Sequence, residues 1–161
     1  NALRDTRSYV DYIDAADARR LPGEVKRVIE NGIAAGKLTS GDVYVSEASG
    51  IANARIAADR ADLPALERDA KAANATAATA SGAGDAFLSY PDYARAETMY
   101  QIAAGKPGAD MSRVMLRLGI AQVGQGKTDE ALASFAKVDG SRRHIADLWE
   151  IHARQATSPA S

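Results

Sequence analysis

From residue 111 to 136, apolar residues fall three and four apart, as the buried stripe of a helix requires. Val114, Met115, Leu118 and Ala121 form the first run. The polar stretch Gly124-Gln125-Gly126-Lys127-Thr128 interrupts it, and Ala131 and Phe135 resume the period. The pattern predicts two helices joined by a turn. A similar pattern lies upstream, with Ala80, Ala83, Gly84 and Phe87 before a turn and Ala96 and Tyr100 after it. Ala96 and Ala131 are 35 residues apart, as are Tyr100 and Phe135. Downstream, Met115 and Trp149 are 34 apart, with His152 and Ala153 standing where the earlier copy has Leu118 and Gly119. A weaker copy opens the chain with Tyr9, Tyr12, Ile13 and Ala16, then Val25 and Ile29, and Tyr9 precedes Ala80 by 71 residues.

The spacing has a packing rationale. Small residues at Gly84, Ala96, Gly119 and Ala131 are expected where the two helices of one unit cross, because a larger side chain there would force them apart. Phe87, Tyr100 and Phe135 are expected to fill the gap to the next unit. Turns are expected at Tyr90-Pro91-Asp92-Tyr93 and at 124–128, where Gly126 suits the left-handed end of a helix and Thr128 or Asp129 could cap the next one. In the first copy Leu21-Pro22-Gly23-Glu24 takes that part. Between units lie the stretches 36–42, 105–108 and 139–141.

Residues 42–75 have the length of one unit without its signature. They predict a helix from about Tyr44 to Ala61, then a second one capped by Asp62, with Pro64 in its first turn and an end near Ala73. A single bent helix is the competing reading.

This pattern resembles the tetratricopeptide repeat, a helix-turn-helix unit of 34 residues with small and large side chains at these positions. The likeness is closest over 77–153 and weaker over 1–75. It implies an all-α fold: a right-handed superhelix of antiparallel helix pairs, an α-solenoid. Its units would span 6–40, 42–75 (degenerate), 77–110 and 112–144, with a capping helix over 145–155. It also implies a concave groove lined by the first helix of each unit. Residue by residue, the groove positions are Arg7, Val10, Asp14 and Asp17; then Ala78, Ser81, Asp85 and Leu88; then Arg113, Leu116, Ile120 and Val123. The groove would be acidic toward its N-terminal end and apolar toward its C-terminal end. A second reading buries Leu116, Ile120 and Val123 under the helix around Trp149. The basic and Asn residues of the family's carboxylate clamp have no counterpart here, since Arg113 stands alone.

Composition narrows the classes of function. The chain has 161 residues, one domain's worth, and alanine-rich composition with 6% aromatics favours helices. Twenty basic against 21 acidic residues leave no excess to grip a polyanion, so nucleic acid is not expected as a partner. No apolar run approaches the length of a membrane span. The absence of cysteine excludes disulfides, thiolate metal sites and thiol chemistry. Asn1-Ala2 looks like a protease scar, and 156–161 is expected to fray.

Gly126-Lys127-Thr128 spells the tail of a phosphate-binding loop. Such a loop needs a further glycine at position 121, which is alanine, and a β-strand before it, where the periodicity is helical. The triplet is therefore expected to be a turn. His144 and His152 lack further metal ligands at a known spacing, so His152 is expected to pack at a repeat position and His144 to be solvated. Asp11, Asp14 and Asp17 drift along one helix side and lack the glycine-bearing loop of a calcium site. Ser89 and Ser134 have no visible base partner.

No catalytic centre, cofactor or metal site is expected. The expectation is a non-catalytic protein-interaction scaffold, with a protein or peptide bound along Val10, Asp14, Asp17, Asp85, Leu88, Arg113, Leu116 and Ile120. The alternative is a structural C-terminal segment of a larger exported protein, packed against N-terminal sequence that this chain lacks. The family likeness to exported proteobacterial repeat proteins suggests a periplasmic location, with the cytoplasm as the other choice.

Overall fold

Short polar caps set where the helices of the computed structural model begin, and it describes residues 3–157. Asp5 accepts the backbone N–H of Ser8 at 2.8 Å, and Thr76, Asp92 and Asp110 do the same for Thr79, Arg95 and Arg113. Each cap satisfies one of the donors that a helix start leaves open. Among the described residues the fold is all-helical, without strands, and consecutive helices pack together. The expected scar at 1–2 lies outside the described residues, as does 158–161 of the expected tail. Contacts divide the chain into two compact units, meeting at Asp62 and Leu63.

The first unit holds α1 (Thr6–Ala16), α2 (Pro22–Ala34) and the first part of α3 (Val43–Lys71). α1 buries Tyr9, Ile13 and Ala16, and α2 buries Val25, Val28, Ile29 and Gly32. Both sets follow the spacing of a single helix face. Val45, Ala48 and Ala52 of α3 complete the core. Pro22 is the first residue of α2 rather than part of a turn, because its missing N–H costs nothing there. The chain turns earlier, over Asp17–Leu21, where Leu21 N–H bonds the Asp17 carbonyl at 2.9 Å.

α3 corrects the expected break. Residues 43–71 form one helix with Pro64 inside it, and Asp62 starts no new helix. Proline removes one backbone donor, but Leu63 and Ala70 are buried on either side of it, and that burial offsets the loss. From Leu63 onward α3 belongs to the second unit.

The second unit continues with α4 (Ala77–Ser89), α5 (Tyr93–Ala104), α6 (Met111–Gly124), α7 (Thr128–Phe135), a 3₁₀ turn (Gly140–Arg142) and α8 (Arg143–Thr157). α4 packs on α5, α5 on α6, α6 on α7 and α7 on α8. α4 also touches α6, and α6 touches α8. The small residues do lie at crossings. A Cβ on Gly84 would lie 2.7 Å from the Tyr100 ring, and one on Gly119 would overlap the Phe135 ring. Tyr100 and Phe135 therefore fill the crossing within their own pair, whereas the expectation placed them toward the next unit. Ala96 and Ala131 are fully buried beside them.

Candidate functional site: two polar clusters and a buried network

The predicted groove residues fall into two groups, one in each unit. In the first unit, Tyr44 of α3 reaches back to α1. Its hydroxyl donates to the Asp14 carboxylate at 2.8 Å and lies 3.3 Å from the Val10 carbonyl. Burial, and then that hydrogen bond, push the Tyr44 phenol well above the ordinary tyrosine range. Asp17 ends α1 at φ 56, and its carboxylate accepts the Arg19 N–H at 2.9 Å. Asp14, Asp17, Tyr44 and Glu47 edge a hollow of about 180 Å³ floored by Ile13 and Ala48. Val10 is half-buried against the core, and Arg7 pairs with Asp11 at the surface.

In the second unit, Asp85 of α4 is a hub. Its carboxylate accepts the Tyr100 hydroxyl at 2.7 Å and the Arg113 guanidinium at 2.7 Å, with Arg117 at 3.7 Å. Burial, and then Asp85, push the Tyr100 phenol far above its usual range. Two of the predicted lining residues, Asp85 and Arg113, thus bond to each other across α4 and α6. Leu88, Ile120 and Val123 are half-buried against the core. Leu116 is only 7% exposed, a core side chain with little surface to offer a partner.

The turn at 124–128 shows what the phosphate-loop triplet does. Gly126 adopts φ +74, the left-handed conformation that suits glycine. Its N–H bonds the Val123 carbonyl at 2.9 Å and the Lys127 N–H bonds the Gln122 carbonyl at 3.0 Å, the paired bonds of a Schellman helix end. Gly36 and Lys37 repeat the arrangement after α2, at φ +65. Thr128 does not cap α7. It is the first helical residue, and Lys127 holds the cap position without a side-chain bond to the helix.

The Lys127 ammonium turns inward instead and donates to Glu97 at 2.6 Å. Glu97 is 8% exposed on α5 and also accepts Gln125 at 2.8 Å, Gln122 at 3.2 Å and Gln101 at 3.3 Å. Ser134 of α7 donates to the Gln122 amide oxygen at 2.7 Å. Burial raises the Glu97 pKa, but the bonds from Lys127, Gln125 and Gln122 outweigh it and hold the carboxyl below the ordinary glutamate range. The network ties α5, α6 and α7 together. Lys127 is engaged by a carboxylate, and Val114 to Val123 lies in α6, with no strand leading into the turn.

Sequence reasoning missed Tyr44, Arg117 and this network. Glu97 is one residue from the buried Ala96, a neighbourhood that could have flagged it. Its partner Lys127 is 30 residues away, beyond any local pattern.

No group of His, Asp or Glu among the described residues could hold a metal ion. His144 and His152 are both exposed, and His152 stands edge-on to Trp149 with ring centres 5.4 Å apart rather than packing in the core. Ser134 is bonded to Gln122 and Ser89 to the Ala86 carbonyl, neither next to a base. No described helix is long and apolar enough to cross a membrane. No family model, curated protein or solved structure matches the chain.

Proposed function

We propose that the chain is a non-catalytic protein-interaction scaffold built of tetratricopeptide-like helix pairs, with a peptide or protein partner bound along the first helices of its pairs. One observation carries the reading: Gly84 under Tyr100 recurs 35 residues later as Gly119 under Phe135, on successive antiparallel pairs. Contacts of α4 with α6, and of α6 with α8, support stacking of first helix on first helix, the arrangement from which a right-handed solenoid grows. Asp14 with Glu47 in one unit, and Asp85 with Arg113 in the other, are the polar groups that such a partner would meet.

Quantitative pull-downs with the intact chain and with Asp14→Arg, Asp85→Arg and Ile120→Glu test the reading. Each variant is expected to lose partners that the intact chain retains, at unchanged helicity. Identical partner profiles would refute it. The alternative, a segment that packs against further chain through its first helix, would be favoured by a bare stripe of Tyr9, Tyr12 and Ile13. Tyr9 and Ile13 are instead core residues of the first unit, and the Tyr12 hydroxyl donates to Glu24 at 2.5 Å.

A further inference from the structure

We propose that the hollow between α1 and α3 is a socket for one arginine side chain of a partner peptide. The proposal rests on the reading of α1 as a partner-binding helix and names the chemistry that the first unit would recognise. Asp14 lies in the last turn of α1, Asp17 ends the helix, and no basic residue stands in that turn. Two carboxylates thus sit where the backbone dipole already concentrates negative charge, the opposite of what stabilises a helix by itself. Glu47 of α3 borders the same hollow. Among the described residues no cation pairs with any of these three carboxylates. Arg19 also borders the hollow, but its exposed guanidinium pairs with none of them. The excess negative charge registers at Tyr44. Burial, then Asp14 and Asp11, push its phenol up, and no cation acts against them. At Tyr100, where burial and Asp85 act in the same direction, Arg117 and Arg113 oppose them. A positive charge brought from outside would relieve the first unit of an electrostatic cost that the second relieves within the chain.

The form of that charge follows from the lining. The carboxylates do not close on a point ion, since no acidic groups among the described residues gather tightly enough to hold a metal. A guanidinium is broad and flat, with five N–H donors, and can reach separated carboxylates that a compact ammonium meets one at a time. Acceptor capacity is open to it. The Tyr44 hydroxyl takes one oxygen of Asp14, and the Arg19 N–H takes one of Asp17. The Glu47 carboxylate makes no hydrogen bond among the described residues. The floor is apolar, from Ile13 and Ala48, with Ile51 half-buried beside them. Arginine matches both parts, since its methylene stem can lie on the floor while the charged head stays at the wet, acidic rim. At about 180 Å³ the hollow has room for one long side chain. The rim is open to water, so binding of a single residue is weak, roughly millimolar.

A blocked peptide with one arginine among glycines, titrated into the full chain and followed by amide NMR, tests the proposal. Saturable shifts are expected at Ile13, Tyr44, Ala48 and Ile51. Citrulline in place of the arginine keeps the shape and removes the charge, and is expected to bind at least ~10-fold more weakly. A guanidino side chain shortened by two methylenes keeps the charge and loses the stem, and is expected to bind about 5-fold more weakly. Lysine is expected to bind at least ~3-fold more weakly. Glu47→Gln is expected to weaken arginine binding about 5-fold at unchanged helicity and Tm, because that carboxylate bonds nothing among the described residues. Four outcomes would overturn the proposal: no saturable shift at these amides; citrulline or lysine binding as tightly as arginine; no loss on shortening the stem, which would mark a general acidic surface only; or indifference to Glu47→Gln. The peptide is defined, so these outcomes leave the pull-downs standing. Arginine binding here beside unchanged partner profiles would instead refute the scaffold reading alone.

Discussion

In α4–α5 and α6–α7 the glycine lies on the first helix and the aromatic ring on the second. In α1–α2 the parts are exchanged: Gly32 lies on the second helix, and Tyr9 approaches it from the first. The surroundings differ more than the order does. Tyr100 over Gly84 is held at its tip by Asp85, and Phe135 over Gly119 is fully buried. Neither ring has anywhere to go. Around Gly32 the nearest atoms are Cδ1 and Cγ of Leu38, an aliphatic side chain that can rotate, with the buried Tyr9 ring somewhat farther, at 3.0 Å from an added Cβ. The same residue type at a crossing is thus obligatory in one unit and tolerant in the other, and the stiffness of its neighbour decides which.

The most damaging way to probe this contrast is Gly119→Val. Overpacking against the Phe135 ring should cost about 3 kcal/mol or more, and Gly119→Ala about 1–3 kcal/mol, by urea denaturation of each variant. Adding Phe135→Leu to Gly119→Ala should recover part of that loss, because a branched aliphatic chain can shift where a buried ring cannot.

The second unit differs again in having the buried Glu97 network. Lys127→Met should cost about 1–3 kcal/mol, because it strips the ammonium from a buried carboxylate; Lys127 is itself 41% exposed, so water screens part of the loss. The pH dependence follows from Glu97, whose folded-state pKa lies below its ordinary value of 4.5. Its stabilisation is fully present above that value and is lost as pH falls through the lowered one. Glu97→Gln should flatten that acid limb in part, read as midpoint against pH, with residual slope from Asp5 and Glu67, whose pKa values are also lowered.

The first unit should respond more mildly. Tyr44→Phe removes the bond to Asp14 and should cost about 1 kcal/mol, measured as a shift in Tm. Gly32→Ala should be the smallest effect, within about 1 kcal/mol of neutral, because Leu38 can move aside and alanine gains about 1 kcal/mol in helix propensity. A loss at Gly32 as large as that at Gly119 would end the comparison.

The helices were legible because periodic apolar residues report which face is buried, whatever it packs against. Gly84, Gly119 and Gly126 were legible for the same reason: close approach and left-handed backbone admit few other residues. Two features misled. Pro64 reads as a helix start, yet local propensity gave way to the burial of Leu63 and Ala70. Pro22-Gly23 reads as a turn, yet proline is equally at home as the first residue of α2. Of the candidate site, Asp85 and Arg113 were named separately, but their bond was not, since the crossing of α4 and α6 sets it. Glu97 drew no reading from the sequence, because its partner Lys127 lies 30 residues away and nothing within one helix turn announces it.

The two Gly-Lys helix ends with a left-handed glycine, at Gly36-Lys37 and Gly126-Lys127, carry one last consequence, for enzymatic cleavage. Both close with the same backbone bonds, but Lys37 leaves its side chain in solvent while the Lys127 ammonium is folded inward onto Glu97. Trypsin must draw a lysine into its own acidic specificity pocket before it can cut. Brief digestion should therefore nick the chain after Lys37 well before Lys127, and Glu97→Gln should narrow that gap by releasing the second lysine.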